Sequence, residues 1–285
     1  MRKSISRIAL ISVLAFTCSA WADATVYVVH GIPGSDLGLD PELPVDISVN
    51  GDCAIQDFRF GEILGPIELP GGFYDIDVSV SDPNNPCGNP AVISVGGLEL
   101  MDGVNYSIVA HLDEMGAPTA SAFVNNVDPT GRGKARLIAH HTAAAPAVDV
   151  TVAREEDGTG PSLTIPDFAS GQQAEAEVRP GEWWVSIAPA GSGMPVFGPA
   201  AVELEPFTAY LVYAVGTVDT GTFTLLIQPV AGLKPMGGNK LYQQRLEVGR
   251  ALLEVQSTNV AEVLPYYTDD IEYHDPIVDI YGIEQ

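Results

Sequence analysis

Two phrases decide the fold: "ATVYVVHGI" (24–32) followed by "LPVDISV" (43–49), and "ARLIAHHTA" (135–143) followed by "PAVDVTV" (146–152). Each opens with an apolar stretch ending in histidine, crosses a Pro-bearing loop, and enters an alternating stretch centred on an aspartate. His30 and Asp46 stand in the first copy, His140 and Asp149 in the second. The parallel extends outward, through "LPGGFYDIDVSV" (69–80) against "VRPGEWWVSIAP" (178–189) and "NPAVISV" (89–95) against "GPAAVEL" (198–204). Tyr-bearing stretches follow (105–112 and 209–216), then last apolar ones (120–127 and 222–230). The spacings His30 to His140 and Pro70 to Pro180 are both 110 residues. Such a period predicts a duplicated β domain.

Within each copy the apolar residues alternate as half-buried antiparallel strands require. Tyr74, Ile76, Val78 and Val80 share one face, while Asp75, Asp77 and Ser79 share the other. About seven such strands per copy, separated by turn signals from 29 Gly and 22 Pro, predict a sandwich in which two sheets bury each other's apolar faces. The expected fold is mainly β: two tandem antiparallel, Ig-like β-sandwiches, residues 23–128 and 134–230. A linker (231–239) and a short α+β fragment (240–285) follow.

The start of the chain has its own logic. Arg2, Lys3 and Arg7 precede the apolar run Ile8 to Phe16, and Ala20-Trp21-Ala22 has the small-x-small form of a cleavage site. Residues 1–22 therefore read as a secretory signal peptide cut after Ala22, which predicts a secreted, periplasmic or envelope protein with no membrane-spanning segment after cleavage. Cys18 falls inside that segment. Cys53 and Cys87 remain, an even pair beside turn residues in an exported chain, so a disulfide is expected, contributing roughly 3 to 4 kcal/mol through loop closure. The formal charge is −24, and loss of residues 1–22 removes three basic side chains and no acid, making it −27. That excess of acid excludes nucleic acid as a natural partner.

The second copy's "ARLIAHHTAAAPAVDVTV" resembles the opening of the domain-of-unknown-function 4397 family: a strand ending in His, a small-residue loop and a Pro-x-Val-Asp strand. The first copy departs by the insertion "PGSDLGLDPE" (33–42). The resemblance implies an exported bacterial cell-envelope β domain and no reaction. In the third segment Leu241, Val248, Leu252 and Val255 recur at helical spacing, and Asn259 with Glu262 forms a capping box. "AEVLPYYTDDIEYHDPIVDIYGIEQ" (261–285) resembles the opening of a SnoaL-like domain of the ketosteroid-isomerase and nuclear-transport-factor superfamily, cut short. That resemblance implies a partly apolar pocket and marks Tyr273, His274 and Asp275 as pocket candidates.

Among the sandwich residues, a His–carboxylate pair (His30 with Asp46, His140 with Asp149) has the chemistry of an oriented metal ligand or a general base. Its recurrence at one structural place, with no nucleophile nearby, argues for a structural hydrogen bond. No catalytic residue, metal or cofactor is assigned. Trp183, aligned with Tyr74, belongs in the core, which leaves Trp184 on the outer face, either as a platform for a glycan or protein partner or packed beneath a neighbouring loop. The acidic turn "REEDGTG" (154–160) lacks the alternating pattern of a calcium loop. The expected function is non-catalytic binding or presentation by the sandwiches. The rival is an enzyme or small-molecule binder acting through the SnoaL-like segment.

Overall fold

The computed structural model describes residues 22–235, which form sixteen strands and two single-turn 3-10 segments. The first eight strands are β1 (Ala24–His30), β2 (Val45–Val49), β3 (Asp52–Phe58), β4 (Ile63–Leu69), β5 (Gly72–Val80), β6 (Ala91–Leu100), β7 (Asn105–Leu112) and β8 (Pro118–Asn125). The second eight are β9 (Ala135–His141), β10 (Val148–Ala153), β11 (Ser162–Phe168), β12 (Gln173–Val178), β13 (Gly181–Pro189), β14 (Phe197–Leu204), β15 (Thr208–Val215) and β16 (Thr224–Ala231). The sheets run β4-β1-β7-β8 and β3-β2-β5-β6, then β12-β9-β15-β16 and β11-β10-β13-β14. Adding eight to every strand number of the first pair yields the second.

The mainly β fold is as expected, with two refinements. Each sandwich has eight strands rather than about seven, because the stretch between the Asp strand and the aromatic strand holds two, β3 with β4 and β11 with β12. These pass from one sheet to the other. Their alternation is hard to read: β3 is largely exposed, β4 is broken by Gly65-Pro66, and β11 contains Pro166. The ladders are also not wholly antiparallel. β1 runs parallel to β7, from Thr25 opposite Asn105 to His30 opposite Ala110, and β9 runs parallel to β15. The intervening chain crosses to the other sheet and back, so no hairpin forces these central neighbours to oppose each other.

A further core lies between the sandwiches. Tyr27, Val29, Val109 and Phe123 of sheet β4-β1-β7-β8 pack against Ile138, Leu211, Tyr213 and Val215 of sheet β12-β9-β15-β16. The stack is therefore four sheets deep, and the described chain up to Lys234 is one compact unit. The two inner sheets are covered on both faces, and β7 is buried at all eight positions. A strand enclosed in this way reads as an apolar run such as "NYSIVAHL" rather than as an alternation.

The insertion peculiar to the first copy has a place in this stack. Its 3-10 turn (Gly34–Leu37) presents Asp36, whose carboxylate accepts hydrogen bonds from Thr220 Oγ1 (2.6 Å) and Thr222 Oγ1 (2.8 Å) in the β15–β16 loop of the second sandwich. At Gly31 a Cβ would lie 2.7 Å from Val215 Cγ1, so the two chains meet where no side chain fits. Cys53 and Cys87 are disulfide-bonded, Cα to Cα 5.7 Å, which ties β3 to the β5–β6 loop across the outer face of sheet β3-β2-β5-β6. Among the described residues no helix is long and apolar enough to cross a membrane.

Candidate functional site

Strand register decides which histidines correspond. Val26 is opposite Tyr106 and Leu137 opposite Tyr210, and the two tyrosine hydroxyls accept matching backbone bonds, from Met101 N and Glu205 N. This makes Val26 the counterpart of Leu137 and His30 the counterpart of His141. The N–H of His30 donates to Glu62 O and that of His141 to Gln172 O, and their rings rest on Phe58 and Phe168 respectively. The 110-residue spacing that pairs His30 with His140 is thus off by one position. The offset drifts along the chain: His30 and His141 differ by 111, Phe58 and Phe168 by 110, Gly72 and Gly181 by 109. Two adjacent histidines conceal the drift.

His140 is instead the counterpart of Val29, and its side chain belongs to the core between the sandwiches. It stacks on Tyr213 (centroids 4.7 Å, interplanar 15°), meets the edge of Phe123, and lies 3.2 Å from both Val212 O and Asn125 Oδ1. Asn125, on β8, also bonds Asn105 and Ser107, and Ser107 Oγ is 2.7 Å from Tyr213 Oη. A polar cluster therefore crosses the seam. Burial holds the pKa of His30 and of His140 down to about 4 from 6.5, and lowers those of His111 and His141. Imidazoles that stay neutral to about pH 4 are weak bases and poorly matched to proton transfer at neutral pH.

Neither aspartate meets its histidine. Asp46, completely inaccessible, accepts the N–H of Asp57 (3.0 Å) and of Cys87 (2.9 Å). Asp149 accepts those of Asp167 (3.0 Å) and Gly191 (2.8 Å). Asp57 and Asp167 are left-handed, φ 57° and 50°, where β3 and β11 slip register against β2 and β10. The central aspartate satisfies the N–H that the bulge frees and pins the β5–β6 or β13–β14 loop over the sheet. Burial pushes the Asp46 carboxyl up, but its backbone donors outweigh this and hold it below the usual range. For Asp149 the same kind of donors, Asp167 and Gly191, act in the same direction. The expectation of a His–Asp bond gives way to an Asp–backbone clamp, because β2 and β10 present these carboxylates on the outer face of their sheets.

Trp183 is buried, donates from Nε1 to Arg179 O (2.8 Å), and carries the Arg154 guanidinium 4.6 Å from its ring centroid. Tyr74 makes the matching bond to Pro70 O. Trp184 is half-buried on the other face, opposite Ala153 and Ala201. The outer carboxylates are engaged locally: Asp75 with Gly97 N, Asp77 with Ser94, Asp157 with Thr159. Among the described residues no three His, Cys, Asp or Glu side chains converge as a metal site. Tyr273, His274 and Asp275, with the whole SnoaL-like reading of 240–285 and the signal peptide up to Trp21, lie outside the described residues.

Each sandwich also holds a cavity of about 250 Å³ between its sheets. That of the first is walled by apolar side chains and Tyr74, including Val26, Ile47, Ile76 and Ile108. That of the second lies at the end formed by the β9–β10, β13–β14 and β15–β16 loops, and adds His141, Thr217 and Asp219 to its apolar wall. Sequence reading missed both. The run Ala143-Ala144-Ala145-Pro146-Ala147 was the available signal, since a wall of small residues leaves space that larger ones would fill.

Residues 24–151 match the domain of unknown function DUF4397. The match takes in the whole first sandwich and enters the second as far as β10. No curated protein matches the chain. Two crystal structures are similar to it, each named a "putative cell adhesion protein", from Bacteroides uniformis ATCC 8492 and Bacteroides ovatus ATCC 8483. The first is 11% identical over 73% of this chain and 98% of its own, with a TM-score of 0.22. The second is 10% identical over 76% and 99%, also with a TM-score of 0.22.

Proposed function

We propose that the chain is a non-catalytic binding or presentation module of the cell envelope, made of two DUF4397-type sandwiches (23–128 and 134–230) behind a signal segment cleaved after Ala22. One observation carries the reading: the side chains with chemistry to offer hold sheets and loops in place. Asp46 and Asp149 clamp bulges, His140 joins the two sandwiches, and His30 lies beneath its own loop. The Cys53–Cys87 bond fits an oxidising compartment. The acidic surface suits a protein or glycan partner better than a polyanion.

The test is fractionation of the native host with intact-mass analysis. The reading expects the chain in the envelope or medium, beginning at Asp23 and gaining two hydrogens on reduction. A cytosolic chain retaining residues 1–22, with free thiols, would overturn it. So would turnover of chromogenic esters or glycosides that disappears in His30→Phe or His141→Phe.

A further inference from the structure

We propose that the cavity of the second sandwich is a binding site for a small, compact apolar molecule carrying one hydroxyl, with His141 Nδ1 as the acceptor of that hydroxyl's hydrogen bond. The inference goes beyond the envelope reading and does not depend on it.

Three observations converge. The first is the space. About 250 Å³, open at one end, is lined by Val150, Phe168, Val185, Ile187, Val212 and Leu225. An apolar cavity of ~150 Å³ accommodates benzene, so this one takes a ring with a short alkyl substituent, roughly ten non-hydrogen atoms. It is too small for a long acyl chain.

The second is an unpaired atom. His141 lines the cavity at 2% exposure, and its Nδ1 has no hydrogen-bond partner. The other ring nitrogen lies 3.3 Å from Pro146 O, a group that can only accept. Nε2 must then carry the proton, which leaves Nδ1 with a bare lone pair. Burial favours the neutral ring. A buried acceptor without a donor is destabilising, and a ligand hydroxyl would relieve that cost. The remaining wall is apolar apart from Thr217 and Asp219 in the β15–β16 loop and His140, whose ring stacks on Tyr213 in the seam.

The third is the entrance. Val196 and Val218, both large and substantially exposed, line the cavity where its loops meet solvent, and Met194, 75% exposed, stands beside Val196 in the same loop. The β15–β16 wall is held by the Asp36 bonds to Thr220 and Thr222, so the first sandwich fixes one side of the entrance. The cavity of the first sandwich has the same volume but no unpaired polar atom in its lining, the unpaired Nε2 of His30 belonging to a residue outside that wall, and serves as an internal control.

The experiment uses the full chain with ¹³C-labelled Ala, Val, Leu and Ile methyls, titrated with 4-propylphenol and with propylbenzene. The expected result is saturable binding of the phenol at least ten-fold tighter than that of the hydrocarbon, with shifts confined to Ala144, Val150, Val212 and their neighbours. His141→Leu should keep the space and reduce the ratio to within two-fold. Ala214→Leu, which fills the cavity, should abolish binding of both, with folding of each variant checked from the remaining methyl spectrum. No saturable binding to the wild type at millimolar ligand would overturn the proposal. Equal affinities for the two ligands, or equal shifts in both cavities, would do the same without any variant.

Discussion

Acid should weaken this protein first through its histidines, ahead of most of its carboxylates. In the folded chain His30 and His140 stay neutral down to about pH 4, whereas in the unfolded chain they gain a proton near 6.5. The stability tied to each is fully present above 6.5 and is lost as pH falls through that window. A pKa difference of about 2.5 is worth about 3 kcal/mol, so the pair contributes about 6 kcal/mol, about two-thirds of it gone by pH 5. Set against total stabilities of about 5–15 kcal/mol for ordinary domains, a loss of about 4 kcal/mol by pH 5 leaves a protein at the low end of that range only marginally folded. His111 and His141 act in the same direction. Easing of self-repulsion among 37 acidic side chains opposes them, so a differential measurement is needed. His140→Val supplies it, because valine occupies the corresponding place, Val29, in the first sandwich. Urea unfolding followed by tryptophan fluorescence between pH 7 and 4.5 should show wild type losing about 2 kcal/mol more than the variant by pH 5. Parallel losses, or His30 and His140 resonances that titrate near 6.5 in the native protein, would refute the reasoning.

Other changes follow from the clamps and the seam. Cys53→Ser with Cys87→Ser opens a loop of 34 residues and should cost about 4 kcal/mol in a urea titration under non-reducing conditions, with no further loss when reductant is added. Asp46→Ala strands two buried backbone donors and should cost about 3 kcal/mol. Asp149→Ala, at a more open site, should cost measurably less in the same assay. Gly31→Ala drives a methyl against Val215 and should lower the melting temperature, while Val215→Ala in the same chain should restore part of the loss, a coupling read directly from the double-mutant cycle.

The sandwiches were legible where one face meets solvent. The alternation of "FYDIDVSV" marks β5 from sequence alone, and the repeat of the Pro-Gly turn marks its twin, β13. The seam was less legible for a physical reason. Strands covered on both sides lose their alternation, and the residue at its centre in the second copy is a histidine, a type that reads as chemistry before it reads as core. Only the ladders show that His140 replaces Val29 while His141 repeats His30. The cysteine pairing could be read because the candidates were so few. The crossing strands β3 with β4 and β11 with β12 were obscured by proline and, in β3, by exposure on both faces. The cavities depend on how sheets approach each other, which no local pattern encodes.

The shared core also sets an order of events during synthesis. The first sandwich can close once β8 has emerged, yet one of its sheets then presents Tyr27, Val29, Val109 and Phe123 to water. Their cover comes chiefly from β15, which ends at Val215, some ninety residues later. At ordinary elongation rates the half-built protein carries that apolar face for roughly 5 to 20 seconds. Until its second half arrives, the first sandwich therefore carries an uncovered apolar flank.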